Sequence, residues 1–333
     1  MQPRDAVCYI PTPYLLARVG RCTPLSRSTR SIATLLSMLP AIAVSATDPL
    51  KTFGEARTMM HDGIERAFLL RLPQGVHDVA GLPLVLVLHG GHGSGEKVAR
   101  VTAFADAADR HGFVAVFPDA VGTHWNDGRG QPGETADDVG FLSALAADLA
   151  REFELDRRRV YATGISNGGM MALRLGAEAT ELFAAIACVA ASIPEPVFRK
   201  RRPSAPLPVL IINGDADPVV PWEGGEVRVQ SNVLGRVVST EEMVRFWVEH
   251  NGCAPAPEIA WLPDADPHDG MRVRVETYRG GADDARVTLY VVEGGGHAWP
   301  GGEQYLPDWV IGKTARDIDA TEDIWRFFDG FTR

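Results

Sequence analysis

Short apolar runs recur along this chain, each ending in a polar, glycine-rich turn. Residues 84–88, 160–163, 208–212 and 287–292 are four to six residues long and mostly apolar or β-branched. They are too short for stable helices and read as buried strands. Between them the spacing changes. Phe141, Leu142, Leu145, Leu149 and Phe153 fall on one helical stripe, as do Ile324, Phe327, Phe328 and Phe331, and residues 169–175 carry a third. Strands alternating with helices predict an α/β fold: a mostly parallel sheet with helices on both faces. No internal repeat or long low-complexity linker interrupts the pattern, so residues 47–333 are expected to form one catalytic domain without a second module.

The first 46 residues are patterned differently. Arg27 and Arg30 precede an apolar run over 32–46 that ends in small residues, the arrangement of a signal peptide. The run is short for a membrane span and broken by Pro40, so stable membrane insertion is not expected. Cleavage after Ala46 would make the protein secreted or periplasmic. The chain has 33 basic and 43 acidic residues. Loss of the leader's five arginines and one aspartate leaves 28 and 42, a net charge of −14. A surface that acidic repels phosphate backbones, which argues against nucleic-acid partners. Cys8 and Cys22 leave with the leader. Cys188 sits in an apolar run and reads as buried, and two remaining cysteines make no disulfide framework.

The chemistry is concentrated in the turns. Gly164-Ile165-Ser166-Asn167-Gly168 stands between a strand and a helix, the context of a nucleophile elbow. Glycines are needed at 164 and 168 because side chains there would collide with neighbouring backbone. The serine is pushed above the sheet edge, and the amide of Asn167 is free for an oxyanion. A serine needs a base, and the base an orienting acid. Strand 208–212 runs into Asn213-Gly214-Asp215-Ala216-Asp217-Pro218. Asp217 is preferred to Asp215 because Pro218 stiffens its loop and Asp215 sits nearer the strand end. The last strand ends in Gly294-Gly295-Gly296-His297, which makes His297 the candidate base. The early strand is followed by His89-Gly90-Gly91-His92-Gly93-Ser94-Gly95, whose Gly91 or His92 amide would complete the oxyanion hole. A phosphate loop would need the Walker lysine, and a zinc site on His89 and His92 lacks its remaining ligands. No metal or organic cofactor is expected.

These segments together resemble the esterase-depolymerase family: secreted α/β-hydrolases of the polyhydroxybutyrate depolymerase and feruloyl or acetylxylan esterase type. Further matches are Phe117-Pro118-Asp119, Trp125-Asn126-Asp127-Gly128-Arg129, Asp137-Asp138-Val139-Gly140-Phe141, His297-Ala298-Trp299-Pro300-Gly301-Gly302 and the closing helix over 318–328. The resemblance implies triad roles for Ser166, Asp217 and His297, with Trp125 and Trp299 flanking the ester, or else anchoring core and loop. Two positions depart from the family pattern. Asn213 stands where the family usually has histidine, and a cysteine often found near 278–281 is glycine here, leaving Cys253 without its usual partner.

The expected activity is acyl transfer from a small-molecule, oligomeric or polymeric ester to water, polyhydroxyalkanoate depolymerase-like, with a feruloyl or acetylxylan esterase as the alternative. A serine peptidase, or a non-catalytic binding module on the same fold, are weaker readings. The oligomeric state is not legible.

Overall fold

The computed structural model describes residues 53–130, 135–200 and 202–333. The expected leader lies outside them.

Twelve strands are present among the described residues. They are β1 (Glu55–His61), β2 (Ile64–Arg71), β3 (Leu84–Leu88), β4 (Val114–Pro118), β5 (Val160–Ile165), β6 (Ala185–Val189), β7 (Val209–Gly214), β8 (Gly225–Val229), β9 (Asn232–Val237), β10 (Glu258–Trp261), β11 (Arg272–Tyr278) and β12 (Val287–Glu293). Ten form one sheet in the order β1-β2-β4-β3-β5-β6-β7-β12-β11-β10. The six central strands, β4 to β12 in that order, pair in parallel, and antiparallel strands close both flanks. β8 and β9 make a separate hairpin.

Eight α-helices accompany the strands among the described residues: α1 (Gly95–Thr102), α2 (Phe104–His111), α3 (Asp138–Glu152), α4 (Asn167–Glu178), α5 (Glu195–Lys200), α6 (Thr240–Asn251), α7 (Asp308–Ile311) and α8 (Ala320–Phe328). The period-two geometry of a strand sends alternate side chains to opposite faces. Leu84, Leu86 and Leu88 of β3 accordingly pack with Phe141, Leu145 and Leu149 of α3, Met170 of α4 and Trp247 of α6. Val85 and Val87 pack into the other layer with Phe104 of α2 and Ile324, Phe327 and Phe328 of α8. Strands buried on both faces read as uninterrupted apolar runs, which is why the parallel core was legible.

Residues 329–333 fasten onto the start of β5 and the turn after α4. The Tyr161 hydroxyl of β5 donates to the Phe331 carbonyl at 2.6 Å, and the Arg333 amide donates to Arg158 O at 2.9 Å. Arg159 pairs with Asp329, and the Arg333 guanidinium donates to the carbonyls of Thr180 and Phe183. Cys188 in β6 and Cys253 are buried free thiols. A Cβ built on Gly281 would lie 3.0 Å from Cys253 Sγ, so position 281 is the one facing that sulfur.

Candidate active site

Parallel strands place their carboxyl ends on one edge, where ligands of open α/β sheets gather. Ser166 follows β5, Asp217 follows β7 and His297 follows β12, with β7 and β12 adjacent. The loop carrying Gly91 follows β3, the neighbour of β5.

Ser166 has φ 57° and ψ −122°, a conformation that costs a non-glycine residue strain and persists only when its surroundings enforce it. The enforcing contacts are glycines. A Cβ on Gly168 would lie 2.2 Å from Leu88 O, and one on Gly164 2.6 Å from the backbone of Gly168. The elbow is further held by Ser166 N donating to Val189 O at 2.9 Å.

His297 Nδ1 lies 2.7 Å from Asp217 Oδ2, and both side chains are buried. An ionised carboxylate only accepts, so Nδ1 carries the proton and Nε2 presents a lone pair. The other acid oxygen, Oδ1, accepts the amides of Val219 and Val220 at 2.7 and 2.9 Å. Asp215 instead accepts the amide of Gly294 at 2.7 Å, buttressing the histidine loop. The His297 backbone is pinned by its amide donating to Ile311 O at 2.5 Å and its carbonyl accepting from the Tyr305 hydroxyl at 2.8 Å. Among the described residues, neither Ser166 Oγ nor His297 Nε2 has a hydrogen-bond partner.

Two oxyanion candidates separate here. The His92 amide donates to Thr123 O at 2.9 Å and is spent; the Gly91 and Asn167 amides have no partner among the described residues. A Cβ on Gly90 would lie 3.5 Å from Ser166 Cβ, which measures how closely this loop approaches the elbow.

The tryptophans expected to flank the ester do not line a cleft. Trp125 is 0% exposed and Trp299 1%. Trp125 Nε1 donates to His89 O at 3.0 Å, and Trp299 Nε1 to Thr321 Oγ1 at 3.0 Å beside the edge of Phe104. Both are anchors, because a buried indole needs an internal acceptor and each has one.

Around Trp125 lies a buried network that motif reading passed over. The Asn167 side chain accepts from Trp125 N at 2.7 Å and donates to Trp125 O at 3.0 Å and Asp127 Oδ2 at 2.6 Å. Asp127 forms a buried ion pair with Arg129, which also donates to Leu234 O. His89 Nε2 accepts the Ala120 amide at 3.1 Å, so its Nδ1–H is the group that donates to Gly90 O at 2.8 Å. Burial pushes the His89 pKa below the ordinary imidazole value, consistent with a neutral ring. The loop after β3 and the elbow are thereby fastened to one frame. The Trp-Asn-Asp motif was the available signal, and its role is structural. Asn213, the departure before the acid, is also satisfied: its side chain bonds both polar groups of the Ala191 backbone and the Thr240 hydroxyl.

The family described as "Esterase PHB depolymerase" matches residues 66–223. The putative esterase NocK of Nocardia uniformis subsp. tsuyamanensis is 34% identical over 288 residues, spanning 83% of this chain and 82% of that protein. The chain belongs to this esterase family. Feruloyl esterase B of Piromyces equi is 28% identical across 70% of this esterase and 42% of its own length. Among solved structures, the acetyl xylan esterase from Aspergillus awamori superposes with a TM-score of 0.53 at 14% identity, covering 82% of this chain and 99% of that one, a likeness of fold. The protein is thus an ester hydrolase on the α/β-hydrolase fold. Among the described residues no helix is long and apolar enough to cross a membrane.

Proposed function

We propose that this esterase works by an acyl-enzyme mechanism with Ser166 as nucleophile, His297 as base and Asp217 as the group that orients it. The observation that carries the reading is the buried Asp217–His297 pair at 2.7 Å, on the same sheet edge as a serine in a strained elbow. Ser166 Oγ attacks the ester carbonyl while His297 Nε2 takes its proton. The carbonyl electron pair moves to oxygen, which accepts the amides of Asn167 and Gly91, each worth about 3–4 kcal/mol in the transition state. The pair returns, the bond to the alkoxy oxygen breaks, and His297 hands its proton to the departing alcohol. Water then attacks the acyl-serine by the same route, releasing the acid and free Ser166. The buried carboxylate keeps the ring in the productive tautomer and stabilises its charged form.

For the substrate we favour a neutral hydroxyalkanoate ester, in line with the family description and an acidic chain that repels anions. Export is part of this reading and rests on the apolar run over 32–46; a mature protein beginning at residue 1 would refute it. Ser166→Ala is expected to abolish turnover of p-nitrophenyl butyrate and labelling by a fluorophosphonate while the far-ultraviolet circular dichroism stays unchanged. Retained turnover would overturn the mechanism. Product analysis on hydroxybutyrate oligomers beside methyl ferulate and acetylated xylan decides the substrate class.

A further inference from the structure

With Trp125 and Trp299 buried, the apolar contact surface for an ester must come from elsewhere on the reactive edge. The segment after the histidine supplies one. Trp309 is 77% exposed and Leu306 45%, and Tyr305 is also exposed. Solvent-facing aromatic and aliphatic side chains concentrated in one short stretch are costly unless something covers them.

This stretch is built against the reactive groups. Tyr305 reaches His297 O, and Ile311 O receives the His297 amide. A Cβ on Gly312 would lie 2.6 Å from Gly296 Cα and 3.6 Å from Pro218 Cδ, so the segment also abuts the acid loop. Gln304 ties the segment together. The Gln304 amide donates to Leu306 O and Gly312 O and accepts from the amide and hydroxyl of Thr314. The exposed face carries Leu306, Pro307 and Trp309 beside Gln304 and the carboxylates of Glu303 and Asp308. An anionic chain would be repelled by those carboxylates, which leaves the hydrocarbon of Leu306, Pro307 and Trp309 to a neutral one.

The geometry points to Leu306 and Trp309 as the wall that receives the aliphatic chain of a neutral ester, making them specificity-determining residues of this enzyme. The assignment rests on the reading of Ser166, Asp217 and His297 given above. The rigid backing by His297 and Gly296 lets the wall act without reorganising, so its contribution appears in chain-length preference rather than in the chemical step.

The test compares p-nitrophenyl acetate with p-nitrophenyl octanoate. Trp309→Ala is expected to raise KM for the octanoate about tenfold and to leave both constants for the acetate within about twofold. Trp309→Phe should restore most of the octanoate affinity, and Leu306→Ala should shift it in the same direction as Trp309→Ala. Equal effects on both esters, no effect on either, a loss confined to acetylated xylan, or a change of oligomeric state in sedimentation would each overturn the assignment. Failure of the underlying mechanism would show separately, as turnover by Ser166→Ala.

Discussion

A methyl group at position 168 has no space to occupy. Its carbon would lie 2.2 Å from Leu88 O, a backbone atom that cannot rotate away, so Gly168→Ala must displace either β3 or the elbow. We expect a lower melting temperature, a cost of about 1–3 kcal/mol, together with loss of esterase turnover. Asn167 gives a second prediction. Asn167→Ala strips three hydrogen bonds from the Trp125 backbone and Asp127, leaving buried groups unsatisfied at about 1–3 kcal/mol. Its backbone amide survives, so kcat should fall through misplacement of the oxyanion loop while labelling by a fluorophosphonate continues more slowly. At this scale the sequence spoke clearly wherever chemistry imposed a residue type, as at Ser166 and the glycines beside it. It was silent on partners. Pro218 and the distance from the strand end favour Asp217, but they do not reveal that it bonds an imidazole while Asp215 bonds an amide. Whether an indole faces substrate or core depends on distant residues such as His89 and Thr321.

At the level of elements, α3 is joined to the sheet by more than its apolar stripe. Arg66 of β2 and Asp138 form a buried ion pair at 2.6 Å, and Asp138 also accepts the Asn126 amide at 2.7 Å. The guanidinium lies 3.8 Å from the centroid of Phe141. Asp138→Ala leaves an arginine buried without its counter-charge, and we expect a loss of about 3–5 kcal/mol in urea denaturation. Ser239→Ala should lose only about 1 kcal/mol, since it removes the cap of α6 and half of its capping box. Four of the six parallel strands, β3, β5, β7 and β12, and the stripes of α3 and α8 were visible because burial on one or both faces dictates their patterns. The flanking strands were not. β1 and β10 are largely exposed and mix polar with apolar residues, so their place is set by pairing with β2 and β11 rather than by their own composition.

For the whole molecule, the buried neutral histidine sets a direction of response to acid. His89 holds its proton less readily when folded, chiefly because of burial, and half-buried His124 is lowered for the same leading reason, with His92 adding repulsion. The unfolded chain takes up these protons below about pH 6.5 while the folded chain resists, so the unfolded state binds more protons and stability drops as pH falls. Melting temperatures measured from about pH 7 to about pH 5 should decline, and the decline should be shallower in His89→Gln.

The docking of residues 329–333 onto the start of β5 has a practical corollary. This segment is clamped, and any pull on it would be felt at the strand that leads into Ser166. Likewise, an endoprotease could cut within residues 329–333 only after those contacts let go, so cleavage there would serve as a clock for the opening of that corner.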